Sequence, residues 1–207
     1  MENNLQRTDD WSAQRLGRFT ASEIHKLMGI KGLGETGNTY AFEKAVEQLE
    51  GDFSEDDYVS FDMQRGIDLE PLAFNKFSEL MAEEFVTAEC CGFFKSKDKE
   101  SGSSPDAICS NNSTLEIKCP KPNTFFKLVA DGKIDPKYNF QMQKQMDDTK
   151  TEQCYFFNYM VHEGKEYWHS IVVKRDQDII DLMNTRIAEA VVIKNEYIER
   201  INKNKQF

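Results

Sequence analysis

Asp106, Glu116 and Lys118 are the residues whose types and spacing point most directly to chemistry. Asp106 closes the run Ser104-Pro105-Asp106, and Glu116-Ile117-Lys118 follows a short distance on. Two carboxylates suit a hard divalent cation such as Mg²⁺, which keeps several waters and needs few protein ligands. A metal pair can activate water on one side of a phosphorus atom and stabilise the leaving oxygen on the other. A lysine beside the acids can steady the negative charge that builds during attack. Together these groups form a kit for cutting phosphodiesters. An acid-x-Lys triplet arises by chance in most chains of this size, however, and by itself is better read as a solvated strand face.

The flanking sequence predicts elements that could position the three residues. Pro105 to Cys109 and Thr114 to Cys119 read as strands joined by the turn Ser110-Asn111-Asn112-Ser113. This hairpin would put Asp106 and Glu116 on neighbouring strands, with Glu116 and Lys118 on one face. Upstream, Trp11 to Gly17 predicts a short helix. Ser22 predicts the N-cap of another, running through Ile24, Leu27 and Met28. The glycines between Gly29 and Gly37 predict a loop, Tyr40 to Leu49 a helix, and Gly51 to Asp57 an acidic loop. Phe61 to Ala82 predicts a long helix kinked or broken at Pro71. Phe85 to Lys95 predicts one strand and Lys97 to Ser103 a polar turn. Helices follow over Asn123 to Ala130 and Tyr138 to Met146. A hairpin is expected over Cys154 to Val161 and Tyr167 to Val173, then a terminal helix over Asp176 to Ile201. The whole predicts a single mixed α/β domain over residues 1–207, with a core at 11–174 and a C-terminal helix at 176–203.

Composition narrows the function. The 207 residues can bury a substantial core. No apolar run is long enough to cross a bilayer, and the start MENNLQRTDDW lacks the blocks of a secretory signal, so a cytoplasmic location is expected. The cysteines Cys90, Cys91, Cys109, Cys119 and Cys154 contain no C-x-x-C pair, which predicts buried free thiols. The net charge of −10 argues against indiscriminate DNA coating. The charge is unevenly placed: residues 43–70 carry ten acids and two bases, whereas residues 119–150 carry six lysines and four aspartates. An acidic outer face and a basic inner groove would reconcile that total with DNA binding.

Several ordered blocks strengthen the reading of the triad. Gly66-Ile67-Asp68-Leu69-Glu70 offers a third acid, and Tyr138-x-x-Gln141-x-Gln143 offers polar groups. With RLGRFTASEIH, SSPDAICSNNSTLEIKCP and YNFQMQ, the chain from Trp11 to Lys174 resembles the phage λ exonuclease, or YqaJ-type, recombination nucleases of the PD-(D/E)xK superfamily. The resemblance implies a restriction-endonuclease-like core in which a central mixed β-sheet is flanked by helices. It implies Asp106, Glu116 and the Ile117 backbone carbonyl as ligands of Mg²⁺, two ions per site, with Mn²⁺ able to substitute. Glu70 would be a further active-site acid that could also join the metal, Lys118 the catalytic lysine, and Gln141 a helper. Arg15, Ser22 and Ser104 would bind a DNA 5′-phosphate, in keeping with anion binding by arginine and a helix N-terminus. Met63 would be the wedge that parts the end base pairs.

The same resemblance implies a Mg²⁺-dependent, ATP-independent 5′→3′ exonuclease on linear duplex DNA. It implies a homotrimeric ring around DNA, a 3′ overhang as product, a phage-type single-strand annealing protein as partner, and a phage- or prophage-encoded protein in the bacterial cytoplasm. Ala107 departs from the family's frequent glycine, so a left-handed backbone is not expected there. Three other readings compete: a PD-(D/E)xK endonuclease, an iron–sulfur nuclease for which the cysteines lack the pattern, and a catalytically inactive DNA-end or recombinase-binding module. His25 is a tempting base, but packing or capping on its helix is the preferred reading.

Overall fold

A computed structural model describes residues 6–51 and 60–205 of the chain; residues 52–57 of the expected acidic loop lie outside them. The chain opens with α1 (Asp9–Arg15), capped by the Thr8 hydroxyl, which accepts from the Trp11 amide at 3.2 Å. It continues through β1 (Phe19–Thr20), a 3₁₀ helix (Ala21–Leu27), α2 (Gly34–Glu50) and α3 (Phe61–Ala82). The strands β2 (Ala88–Cys90), β3 (Phe94–Lys95), β4 (Ser101–Ser103), β5 (Ala107–Cys109) and β6 (Ser113–Lys118) follow. Then come α4 (Pro122–Asp131), α5 (Pro136–Thr149), the hairpin β7 (Gln153–His162) and β8 (Lys165–Lys174), and α6 (Gln177–Asn204).

Two mixed sheets form. The larger has the order β2-β5-β6-β7-β8, antiparallel except for the parallel β6–β7 pair; the smaller has the order β1-β4-β3. Helix α5 is part of the crossover joining β6 to β7, as a parallel pair requires. Because strand side chains alternate, β6 and β7 are buried on both faces. Leu115, Ile117, Tyr155, Phe157 and Tyr159 pack against Ala73, Phe77 and Met81 of α3. Cys154 and Phe156 on the opposite face pack with Leu128 of α4 and Met142 and Met146 of α5. A third core joins Phe19, Ile24, Leu27 and Tyr40 to Ile180, Met183, Ile187 and Ala190 of α6.

Four expectations need correction. The strand expected over Phe85 to Lys95 is two short strands in different sheets, with the chain crossing between sheets after Cys91. The polar turn expected before Ser104 contains β4, whose residues are all buried and pair with both β1 and β3. The glycine-rich loop ends early, because α2 starts at Gly34. There Gly37 allows close packing rather than mobility, since a Cβ would lie 2.8 Å from that of Leu33. Ser22 is not an N-cap; Thr20 holds that position of the 3₁₀ helix without a side-chain hydrogen bond. Helix α3 runs over the expected residues and passes through Pro71, which lies on its exposed side where a missing N–H is least costly.

Candidate active site

The β5–β6 hairpin places the acids. Pro105 brings the chain into β5, and Asp106 keeps the ladder going by donating its amide to the Leu115 carbonyl at 2.9 Å. The turn is made by Asn112 in a left-handed conformation at φ 60°, which asparagine tolerates. Ala107 enters β5 fully buried, so the absence of glycine there leaves the hairpin regular.

One Asp106 oxygen, Oδ2, accepts from the Ile117 amide at 2.6 Å. A strand residue points its N–H and C=O to the same edge. The Ile117 carbonyl is therefore directed toward Asp106, beyond the start of β5. Glu116 is 2% exposed, yet its carboxylate is held from three directions. Gln141 donates to Oε1 at 2.7 Å, Gln145 donates to Oε2 at 2.6 Å, and Lys118 Nζ stands 2.5 Å from Oε1. Both glutamines lie on α5 one helical turn apart, so they reach the same carboxylate. The Lys118 ammonium also sits 5.1 Å from the centre of the Tyr138 ring.

Charge is crowded at this point. Burial and then the neighbouring Glu116 raise the Asp106 pKa well above the carboxylate range, against the lowering effects of Lys118 and the Ile117 amide. Burial alone would lower the Lys118 pKa, but Glu116 and Asp106 outweigh it and raise it, so the ammonium persists. A pair of buried carboxylates that repel one another, with a backbone carbonyl at their edge, fits a hard cation. Among the described residues, no three His, Cys, Asp or Glu side chains converge as a ready-made metal cage. Mg²⁺, which keeps waters, is the ion such a sparse oxygen set suits.

Glu70 stands across a cleft of about 310 Å³ lined by Met63, Gly66, Ile67, Ile117, Lys118 and Cys119. Its Oε2 is engaged by the Arg7 guanidinium at 2.6 Å. Met63 is 58% exposed in the first turn of α3, the position a protruding wedge would need.

The three residues expected to hold a phosphate are linked through a fourth. Arg15 Nη2 reaches the Ser22 hydroxyl at a long 3.4 Å, and the Ser22 hydroxyl lies 3.3 Å from that of Thr20. The Arg15 guanidinium carbon sits 4.2 Å from the centre of the Trp11 ring. The indole N–H of Trp11 donates to Ser104 at 2.8 Å. Trp11 thus joins the cluster to Ser104, which stands directly before Pro105-Asp106. Gly17, at φ 68°, makes the turn after α1, and its Cα hydrogen faces Gln48 where a Cβ would meet that side chain at 3.0 Å. In place of the expected capped helix N-terminus, Arg15 and Ser22 present a guanidinium and hydroxyls.

Sequence reading gave no role to Trp11, Gln145 or Arg7, nor to Tyr138 as the partner of Lys118. The signals were available for two: Trp11 is four residues before Arg15, and Gln145 four after Gln141, the spacing that shares a helix face. Gln143 turns out to be architectural. It donates to the Lys174 carbonyl at 2.9 Å and accepts from the Asp176 amide at 2.8 Å, fixing the entry to α6. His25 is partly buried, and its Nδ1 has no hydrogen-bond partner among the described residues. The cysteines are all free, and burial pushes the Cys119 thiol up to about 12, so it is no nucleophile. Five of the six lysines expected to form a basic groove are in ion pairs: Lys127, Lys137, Lys144 and Lys150 with acids near them in sequence, and Lys121 with Asp62 of α3.

The fold and site define a PD-(D/E)xK-type core in the arrangement of the alkaline exonucleases. An alkaline exonuclease (LHK-Exo) from Laribacter hongkongensis superposes with a TM-score of 0.82 at 27% identity, covering 95% of this chain and 97% of that one. LHK-Exo in complex with dAMP gives 0.83 at 26% identity, with the same coverage. A phage related exonuclease from Haemophilus somnus 129PT shares the fold, with a TM-score of 0.67 at 15% identity over 92% of this chain and 99% of that one. No curated protein matches the sequence at a significant level. The chain belongs to the YqaJ-like viral recombinase domain family, whose model matches residues 10–152. No described helix is long and apolar enough to cross a membrane.

Proposed function

We propose that the protein is a Mg²⁺-dependent, ATP-independent exonuclease that digests one strand of linear duplex DNA from the 5′ end, leaving a 3′ overhang for single-strand annealing. The observation that carries this reading is the continuity of two sites. Trp11 ties Arg15 to Ser104, and Ser104-Pro105 leads straight into Asp106. A terminal phosphate held by Arg15, Ser22 and Ser104 would lie beside the segment that leads into Asp106. That supports cutting at an end rather than internally.

Asp106, Glu116 and the Ile117 carbonyl would hold the cation, which when bound supplies an activated water and neutralises phosphate charge. The chain's own groups do the rest. Lys118, kept protonated beside Glu116, stabilises the charge that grows on the scissile phosphate. Gln141 and Gln145 fix the Glu116 carboxylate, and Gln141 can also orient a water. Met63 projects from the cleft rim to part the end base pair. A homotrimeric ring, an annealing-protein partner and action in the bacterial cytoplasm accompany this reading, supported by family membership. The LHK-Exo complex with dAMP supports it too, since a deoxynucleoside monophosphate is what such an exonuclease releases.

The test is digestion of end-labelled linear duplex with Mg²⁺, comparing 5′-phosphate and 5′-hydroxyl ends beside covalently closed circles. Linear DNA should disappear from its 5′ ends, phosphorylated ends faster, while circles survive and Lys118→Ala is inactive. Equal loss of circles would mark an endonuclease instead, and inactivity of the parent protein would favour a DNA-end binding module.

A further inference from the structure

The segment before α1 forms a strap across the cleft. The Gln6 side chain donates to the Pro105 carbonyl at 2.8 Å and the Cys91 carbonyl at 3.4 Å, beside Asp106. Thr8 caps α1, and Trp11 is anchored on Ser104. Between these anchors Arg7 takes a left-handed backbone, φ 61°, which a non-glycine residue adopts only when its surroundings impose it. The result is a guanidinium held at the cleft mouth with its side chain 42% exposed, one nitrogen on Glu70.

An arginine has five N–H donors, so a single carboxylate contact leaves capacity for another oxyanion. The other cation lining the cleft, Lys118, is bound to Glu116. Arg65 nearby directs its nitrogens to the Cys119 and Pro120 carbonyls at 2.7 and 3.3 Å. A protein of net charge −10 must still admit a polyanion to a cleft lined by Glu70, within electrostatic range of Asp106. Arg7 is the cation placed to do so.

We propose that Arg7 is a DNA-phosphate-binding residue of this cleft, parked on Glu70 in the DNA-free protein and transferred to a backbone phosphate of the entering strand. The parking contact screens Glu70 until DNA arrives, and the transfer leaves Glu70 free to face the catalytic groups. The assignment rests on the nuclease reading of the same site. It adds a residue outside the acid-x-lysine motif and outside the terminal-phosphate cluster.

Binding of a dye-labelled, 5′-phosphorylated duplex is measured by fluorescence anisotropy in EDTA, across a salt series, for the full chain and for Arg7→Ala and Arg7→Lys. Without divalent ions there is no turnover, so the readout is affinity alone. Arg7→Ala is expected to bind about tenfold more weakly, with the slope of log affinity against log salt reduced by about 0.7 to 0.9, the value of one phosphate contact. Arg7→Lys should keep the slope and lose less affinity, since it retains the charge without the fork. Parent-like affinity in Arg7→Ala would overturn the assignment, as would weaker binding with an unchanged slope. Tighter binding would overturn it in favour of an occluding latch. A parent protein that fails to bind DNA ends would overturn the nuclease reading itself, and Arg7's role with it.

Discussion

Trp11 offers the sharpest separation of phosphate recognition from chemistry, because its two contacts can be removed in turn. In Trp11→Phe an aromatic ring stays beneath Arg15, but the N–H donated to Ser104 at 2.8 Å is lost. A neutral hydrogen bond contributes about 0.5–1.5 kcal/mol, which corresponds to roughly a 2- to 13-fold loss of kcat/KM. Trp11→Ala also removes the cation–π contact, a further ~0.5–2 kcal/mol. The combined loss is then about 5- to 400-fold. The assay is steady-state digestion of two duplexes differing only in a 5′-phosphate or 5′-hydroxyl. If the Trp11–Arg15–Ser104 linkage serves the terminal phosphate, both losses fall on the phosphorylated substrate and the hydroxyl end changes little. Equal losses on the two ends would refute the reasoning, and so would a Trp11→Phe protein as active as the parent on phosphorylated ends.

Three other perturbations follow from the geometry. Asp106→Asn should abolish cleavage yet raise the melting temperature in EDTA. Burial and Glu116 raise the folded-state pKa of Asp106, so its ionised form destabilises the fold at higher pH; the gain should shrink as pH falls through that raised value, and a lower melting temperature at alkaline pH would contradict it. Gln145→Leu removes a 2.6 Å hydrogen bond to the buried Glu116 carboxylate, and should cost about 1.5–3 kcal/mol in urea denaturation while lowering kcat more than it changes KM. Lys194→Met severs a buried ammonium from the Gly17 carbonyl at 3.2 Å and from Glu100, and should lower the melting temperature by about 2–4 °C for each of the ~1–3 kcal/mol lost, measured by calorimetry.

The sequence by itself determined the β5–β6 hairpin of the candidate site. Glu116 and Lys118 are two apart on a strand whose alternation is local, so their sharing of a face follows from backbone geometry. The bounds of helix α3 were equally legible, but not that it would run on unbroken through Pro71. Residues 88–103 were not legible: whether a short β-prone run pairs with β5 or with β4 depends on partners elsewhere in the chain, not on its own propensity. Only the tertiary structure decided what surrounds the acids. Gln145 matters because α5 is laid against β6 at one particular rotation, which turns a surface-like glutamine toward Glu116. Arg7 and Trp11 matter because residues 6–11 cross to distant positions: Gln6 to Pro105, Trp11 to Ser104 and Arg7 to Glu70. Local pattern carries the order of side chains along a strand; the charge balance around them is a sum over distant segments, and it exists only once the chain has packed.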